Sequence, residues 1–353
     1  MFSLFTTTDN LMAVPSIAGP RPTATNRNAT IDLFRLVASF GVVAIHVHNS
    51  TQAAQGVTDF FWPLCVPFFY AVSLLYFVAG LGRTPVATVF ARAGVRLLVP
   101  YLAWTGIYTG LLLAKQVVLG GEHTFVWWRI LLYGESAVHL YFLPTLLLLQ
   151  ALALAFWLLL FAGAKLNHYL GGATLLAGAG AYLAWGIAHQ CFGVAAIGEV
   201  LAIAAYLGLA FWLAPQLARP RRRWDLAGPG LLMAGIAVAV NMLGYTFPVL
   251  GYPLVLPIGG IGLLLVGFGL PRPTLPAMLM QVSAWSFGIY LSHVVFLEAF
   301  ELLTKRVFPP IGLHYDWTIK LAVVTLIFTV AAGFTWLASQ IGIGRWLLLG
   351  ERS

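Results

Sequence analysis

Charge is scarce in this chain. Asp, Glu, Lys and Arg make up 8% of its 353 residues, while 60% are hydrophobic; an ordinary soluble domain carries about 25% charged residues. With a mean hydropathy of +0.89, that shortage excludes a water-soluble globular protein. Cysteine is scarcer still. Cys65 and Cys191 are the only two, too few for a zinc motif or a disulfide framework. Each falls near the same end of an apolar segment, where a bond is geometrically possible, but two buried thiols are the expectation. Acidic residues number 11 against 19 Lys and Arg. No nucleic-acid motif accompanies that imbalance, so a nucleic-acid partner is not expected. Residues 1–29 are rich in Thr, Pro and Asn and have no basic segment ahead of an apolar run. They read as a disordered cytoplasmic tail rather than a cleaved signal peptide.

What the chain has in abundance is long apolar sequence. A membrane-crossing helix needs about 20 such residues, and ten segments qualify: 31–50, 62–82, 97–117, 140–162, 170–188, 198–215, 226–246, 252–270, 284–303 and 317–340. The expectation is an all-α, polytopic integral membrane protein with one transmembrane domain over 30–350 and about ten helices around a polar cavity. With the N-terminus inside, fourteen of the nineteen Lys and Arg fall on the cytoplasmic side, and Lys115, Arg129, Lys305, Arg306 and Lys320 fall outside. Positive charge prefers the cytoplasmic side, so both termini are predicted to be cytoplasmic. The stretch 119–139, with Trp127, Trp128 and scattered charges, reads as an interfacial segment at headgroup level. Oligomeric state leaves no mark on the sequence.

The first segment, IDLFRLVASFGVVAIHVHNS, is the unusual one. Arg35 and His46 are eleven positions apart, which at about 100° per residue brings them within roughly 20° of one helical face and about 16 Å apart along the axis. Asp32, Ser39 and Asn49 follow the same stripe, and Asp32 is placed to pair with Arg35 at i, i+3. Ionisable groups inside a membrane helix point to function. Taken alone, Arg35 also reads as an interfacial anchor and His46 as an interhelical hydrogen-bonding residue. Asp32 is too far along the helix to orient His46, so any partner of His46 must come from another helix. His48 points about 200° away and reads as interfacial.

The segment DLFR, followed after ten intervening residues by His46, resembles the first-helix signature of the membrane acyltransferase 3 family. VPFFYAVSLLYF (66–77), RLLVPYLAW (96–104), HLYFLPTLL (139–147) and SFGIYLSH (286–293) are similar to further segments of that family, in the same order. Two departures stand out: Tyr141 occupies a position where Trp is usual, and Ala93 occupies the first of two arginine positions, with Arg92 one residue earlier. The resemblance implies a multi-pass O-acyltransferase of the bacterial inner membrane. Its donor would be cytoplasmic acyl-CoA, usually acetyl-CoA, and its acceptor a hydroxyl of a carbohydrate or glycolipid. It implies His46 as catalytic residue and Arg35 as the group that aligns the acyl-CoA, with no resident cofactor and no metal.

Elementary chemistry is compatible with that division. Coenzyme A is a polyanion, which suits Arg35 together with Arg92 and Arg96, an i, i+4 pair on a helical extension. An imidazole titrating near neutrality can take the proton of a sugar hydroxyl as it attacks a thioester. Tyr290 and His293, three apart, can face one cavity with His46 and are the leading candidates for its partners. His139, expected at the outer face, and Glu199 are candidate acceptor-binding groups, and Asn241 is a weaker one. The rival reading is a transporter or flippase for a polysaccharide or lipid-linked sugar that uses the same polar stripe. It lacks the paired broken helices such folds show.

Overall fold

The computed structural model describes residues 28–119, 125–161, 168–192, 198–217, 223–244, 255–271, 274–307 and 314–351. The predicted N-terminal tail lies outside the described residues, apart from Asn28 and Ala29. All regular structure among the described residues is helical. The helices are α1 (Ala29–His46), α2 (Gln52–Phe61), α3 (Cys65–Leu81), α4 (Val86–Leu119), α5 (Trp127–Tyr133), α6 (Phe142–Phe161), α7 (His168–Phe192), α8 (Gly198–Leu213), α9 (Trp224–Leu243), α10 (Val255–Gly269), α11 (Ala277–Ala284), α12 (Ser286–Val307), α13 (Trp317–Gln340) and α14 (Gly342–Leu349).

Every predicted segment contains a helix. Among the described residues, seven stretches are long and apolar enough to cross a membrane: Ala29–His46, Gln52–Leu81, Val86–Val117, Phe142–Leu160, Trp224–Leu243, Ser286–Arg306 and Trp317–Gln340. Tyr169–Ala184 and Pro257–Gly269 are shorter apolar helices. The second predicted segment is preceded by α2, which abuts α3 through a single turn.

Helix α1 is the hub of the bundle, packing against α2, α3, α10, α11, α12 and α13. Its start is set by Asn28, whose side-chain oxygen accepts from the backbone N–H groups of Thr30 and Ile31, a helix N-cap. Asp32 follows in the first turn, where a carboxylate complements the helix dipole. The helix ends four residues sooner than predicted. Val47 turns extended (φ −74°, ψ 134°), and the short polar run His48-Asn49-Ser50 leads into the Thr51 cap of α2. His46 therefore occupies the last turn of α1 rather than its interior, and Asn49 leaves the predicted stripe.

Close packing elsewhere relies on missing side chains. A Cβ on Gly230 of α9 would sit 2.7 Å from the Gly262 carbonyl oxygen of α10, and one on Gly262 would sit 2.6 Å from the Gly230 oxygen. Small residues that let membrane helices approach this closely supply the contact that a hydrophobic effect cannot supply in lipid. Helix α4, with 34 residues and Pro100 inside it, is about 50 Å long, well beyond the roughly 30 Å of a hydrocarbon core. Its first turns carry Arg92 and Arg96. Cys65 is a free, buried thiol, and Cys191 lies outside the described side chains.

Candidate active site

The two ends of α1 open onto two different environments. At its first turns, Arg35 forms an ion pair with Asp32 at 3.6 Å, as the i, i+3 spacing predicted. The Ser283 hydroxyl of α11 donates to the Asp32 carbonyl at 2.6 Å. Arg35 also lines a cavity of about 310 Å³ whose walls come from α1, α3, α4, α6 and α12. Arg92 and Arg96 line the same cavity, so the helical i, i+4 spacing brings both to it despite the displaced first arginine. Gln150 and Tyr290 line it too, with Ser73, Tyr76 and Ser286.

At the other end of α1 three imidazoles meet. The His46 ring centroid lies 5.2 Å from that of His293 and 6.2 Å from that of His139, and the latter two are 5.0 Å apart. His293 and His139 are fully buried, whereas His46 keeps part of its surface. Their protons can be assigned from their partners. His293 Nδ1 lies 2.7 Å from the Tyr290 carbonyl oxygen and 3.2 Å from that of Ile289. Only an N–H can bond a carbonyl, so Nδ1 carries the proton and Nε2 is a bare acceptor. His139 Nε2 lies 3.3 Å from the Leu291 carbonyl oxygen, which leaves its Nδ1 bare. Both bare nitrogens are buried without a hydrogen-bond partner among the described residues, an uncommon state that calls for a reason. Among the described residues no three metal-ligating side chains are grouped as a metal ion would need.

Tyr290 joins the two regions. It lines the arginine-bearing cavity, its hydroxyl donates to the His139 carbonyl, and its ring is 5.3 Å from His139. The inner wall of the cavity is thus the back of the imidazole cluster. His139 is not at an open outer face as predicted. It sits in the turn before α6, held beneath α12 and against Tyr108, whose ring is 5.2 Å away.

Other predicted residues fall elsewhere. The backbone of Glu199 lies in α8, and its side chain is outside the described residues. Asn241 donates to the Asp59 carbonyl at 2.6 Å, bridging α9 to α2. His48 is exposed and pairs with Glu301 at 3.2 Å. The predicted interfacial stretch contains α5, with Trp127 and Trp128 more than half exposed.

Three residues escaped the sequence reading. The hydroxyl of Tyr108 donates to the Leu291 carbonyl at 2.8 Å. Gln150 is a lone amide in a helix whose other polar side chain is Thr145, and that isolation was a usable signal. Lys320, fully buried, donates to the Val47 carbonyl at 3.0 Å, to Thr58 Oγ1 at 2.6 Å and to Asn49 Oδ1. Its ammonium caps the end of α1 beside His46. An amine four residues into an apolar helix was the signal there.

The fold and site define a multi-pass helical membrane protein with buried, oriented imidazoles backing a cavity that carries three guanidinium groups. A family model described as an acyltransferase domain matches residues 28–339, and the chain belongs to this membrane acyltransferase 3 family. It is an acyltransferase. No curated protein and no solved structure matches it.

Proposed function

We propose that the chain transfers an acyl group, acetyl in the simplest case, from cytoplasmic acyl-CoA to a hydroxyl of a carbohydrate or glycolipid at the bacterial inner membrane. The observation that carries this reading is the adjacency of the three-arginine cavity and the imidazole cluster across Tyr290. A polyanionic thioester suits the guanidinium groups, and a hydroxyl nucleophile needs a base. His46 is that base, because it alone of the three imidazoles keeps accessible surface. His293 and His139, both fully buried, hold the geometry around it.

In the transfer, a His46 nitrogen takes the acceptor hydroxyl proton as its oxygen bonds to the thioester carbon. The carbon–sulfur bond breaks, and coenzyme A leaves as a thiolate that regains a proton from the imidazolium. Arg35 aligns the donor, with Arg92 and Arg96 beside it.

The test is acceptor-dependent release of coenzyme A by purified protein in nanodiscs, with mass spectrometry of the acceptor. His46→Ala should lower turnover by about a hundredfold or more, the usual weight of a general base, while the protein elutes and melts as wild type does. Full turnover in that variant would overturn the assignment of His46.

A further inference from the structure

A second cavity of about 230 Å³ adjoins the first, sharing Arg96 and Phe287 as walls. It lies between the α11–α12 junction, where Trp285 breaks the helix, and α14. The family match ends at residue 339, so α14 falls beyond it. The helix is nonetheless tightly seated. Trp104 Nε1 of α4 donates to the Leu348 carbonyl at 3.1 Å. Gly350 ends the helix with φ +65°, and a Cβ there would lie 2.4 Å from the Arg96 carbonyl oxygen. Only glycine suits both that dihedral and that approach, so the turn after α14 rests directly on the backbone of Arg96.

This seating brings Arg345 into the wall of the cavity that Arg96 also lines. Arg345 uses only Nε, which donates to the Ser339 carbonyl at 2.8 Å. Its terminal amino groups, and the whole guanidinium of Arg96, have no partner among the described residues. Glu351 is the acidic residue on this wall. It is exposed and is in no ion pair with either arginine among the described residues. Two unpaired guanidiniums facing one cavity are built for an anion with several oxygens. Trp285 and Phe287 add flat apolar faces to the same walls, which suit a heteroaromatic ring. Gln340 supplies an amide, and Glu351 can accept from a sugar hydroxyl or a ring amine.

Phosphate groups, a sugar and a flat ring, continuous with a thioester-bearing arm in the neighbouring cavity, describe the nucleotide end of coenzyme A. We propose that this cavity is a subsite for the 3′-phosphoadenosine end of the acyl-CoA donor, with Arg345 and Arg96 holding its phosphates. The inference rests on the acyl-CoA reading above, and its test separates the two.

The probe is adenosine 3′,5′-bisphosphate, titrated calorimetrically into the full chain in phosphatidylcholine nanodiscs, with turnover of acetyl-CoA followed on the same preparation. Wild type should bind the probe saturably and bind adenosine 5′-monophosphate about ten- to a hundredfold more weakly, as the loss of a charge-assisted hydrogen-bonding group requires. Arg345→Gln should weaken the bisphosphate by a similar factor, and Arg345→Lys by less. Arg345→Gln should also shrink the preference in kcat/KM for acetyl-CoA over acetyl-4′-phosphopantetheine, a donor without the adenosine end. A merely structural loss would depress both donors alike. Wild-type turnover of acetyl-CoA with no binding of the bisphosphate, or equal affinity for the two nucleotides, would overturn the subsite, whatever the variants do. Binding of the bisphosphate without any turnover would overturn the donor reading and leave a phosphonucleotide site. Loss of bisphosphate binding in parallel nanodiscs that contain phosphatidylglycerol would assign the two arginines to lipid phosphate and defeat the proposal.

Discussion

The arginine-bearing cavity and the imidazole cluster stand back to back across Tyr290, yet they are built in opposite ways. Arg92 and Arg96 are exposed and belong to no ion pair among the described residues. Their long side chains retain rotamer freedom that a ligand must remove, at roughly 0.5–1.5 kcal/mol for each chain immobilised. His139 and His293 are fully buried, and backbone carbonyls from one turn of α12 orient both rings. Their ordering cost is met on folding. The contrast teaches a division of work: charge that adapts where a flexible polyanion would arrive, and donors and acceptors fixed in advance where a proton would move.

The largest expected effect breaks the rigid side. His293→Ala removes the ring nearest His46 and leaves the Tyr290 carbonyl without that donor. If preorganisation is what the cluster supplies, kcat should fall by about a hundredfold or more, while KM for acyl-CoA changes little, the signature of a group that acts in the transition state. Steady-state kinetics on protein whose melting profile is intact would decide it. A defect confined to KM would erase the distinction between the two regions.

A smaller effect is expected at Lys320, which belongs to the rigid side although it touches no imidazole. Lys320→Met keeps the length of the side chain but strips the Val47 carbonyl, Asn49 and Thr58 of a shared donor. The Val47 carbonyl is then a buried acceptor left without this donor, at a cost of about 1–3 kcal/mol, so thermal unfolding in detergent should move downward. Turnover should fall as well, because the end of α1 that carries His46 loosens. A variant more stable than wild type would mean that the desolvated ammonium had outweighed its hydrogen bonds, an outcome known for buried charges.

Much of this was legible in the sequence, for definite reasons. Hydropathy locates α1, α3, α4, α6, α9, α12 and α13 because lipid forces long apolar runs. Helical periodicity alone put Asp32 beside Arg35 and Arg92 in register with Arg96. The end of α1 was misjudged because Val47 is as apolar as the residues before it; only the capping chemistry of Asn49, Ser50 and Thr51 marks the stop. The burial of His139 could not be read at all. It sits in a turn, where no periodicity assigns a face, and α12, 152 residues further on, covers it. Helix α14, with 8 residues, is too short to register against a 20-residue standard, although the glycine after its last leucine is an ordinary helix stop.

The smallest expected effect sharpens the adaptable side. Arg92 is exposed on the first turns of α4 and has no partner among the described residues to lose, so Arg92→Gln should leave stability unchanged and raise KM for acyl-CoA by only about two- to fivefold, the range of a solvent-screened ionic contact worth up to about 1 kcal/mol. Screening gives the decisive control. Near 1 M salt the Debye length falls to about 3 Å, so the KM values of wild type and variant should converge there, whereas the His293→Ala defect in kcat should persist undiminished. A defect at Arg92 that survives high salt would mean that its guanidinium makes a fixed, desolvated contact with the donor. The cavity would then be as preorganised as the cluster behind it, and the contrast drawn between the two faces of Tyr290 would fail.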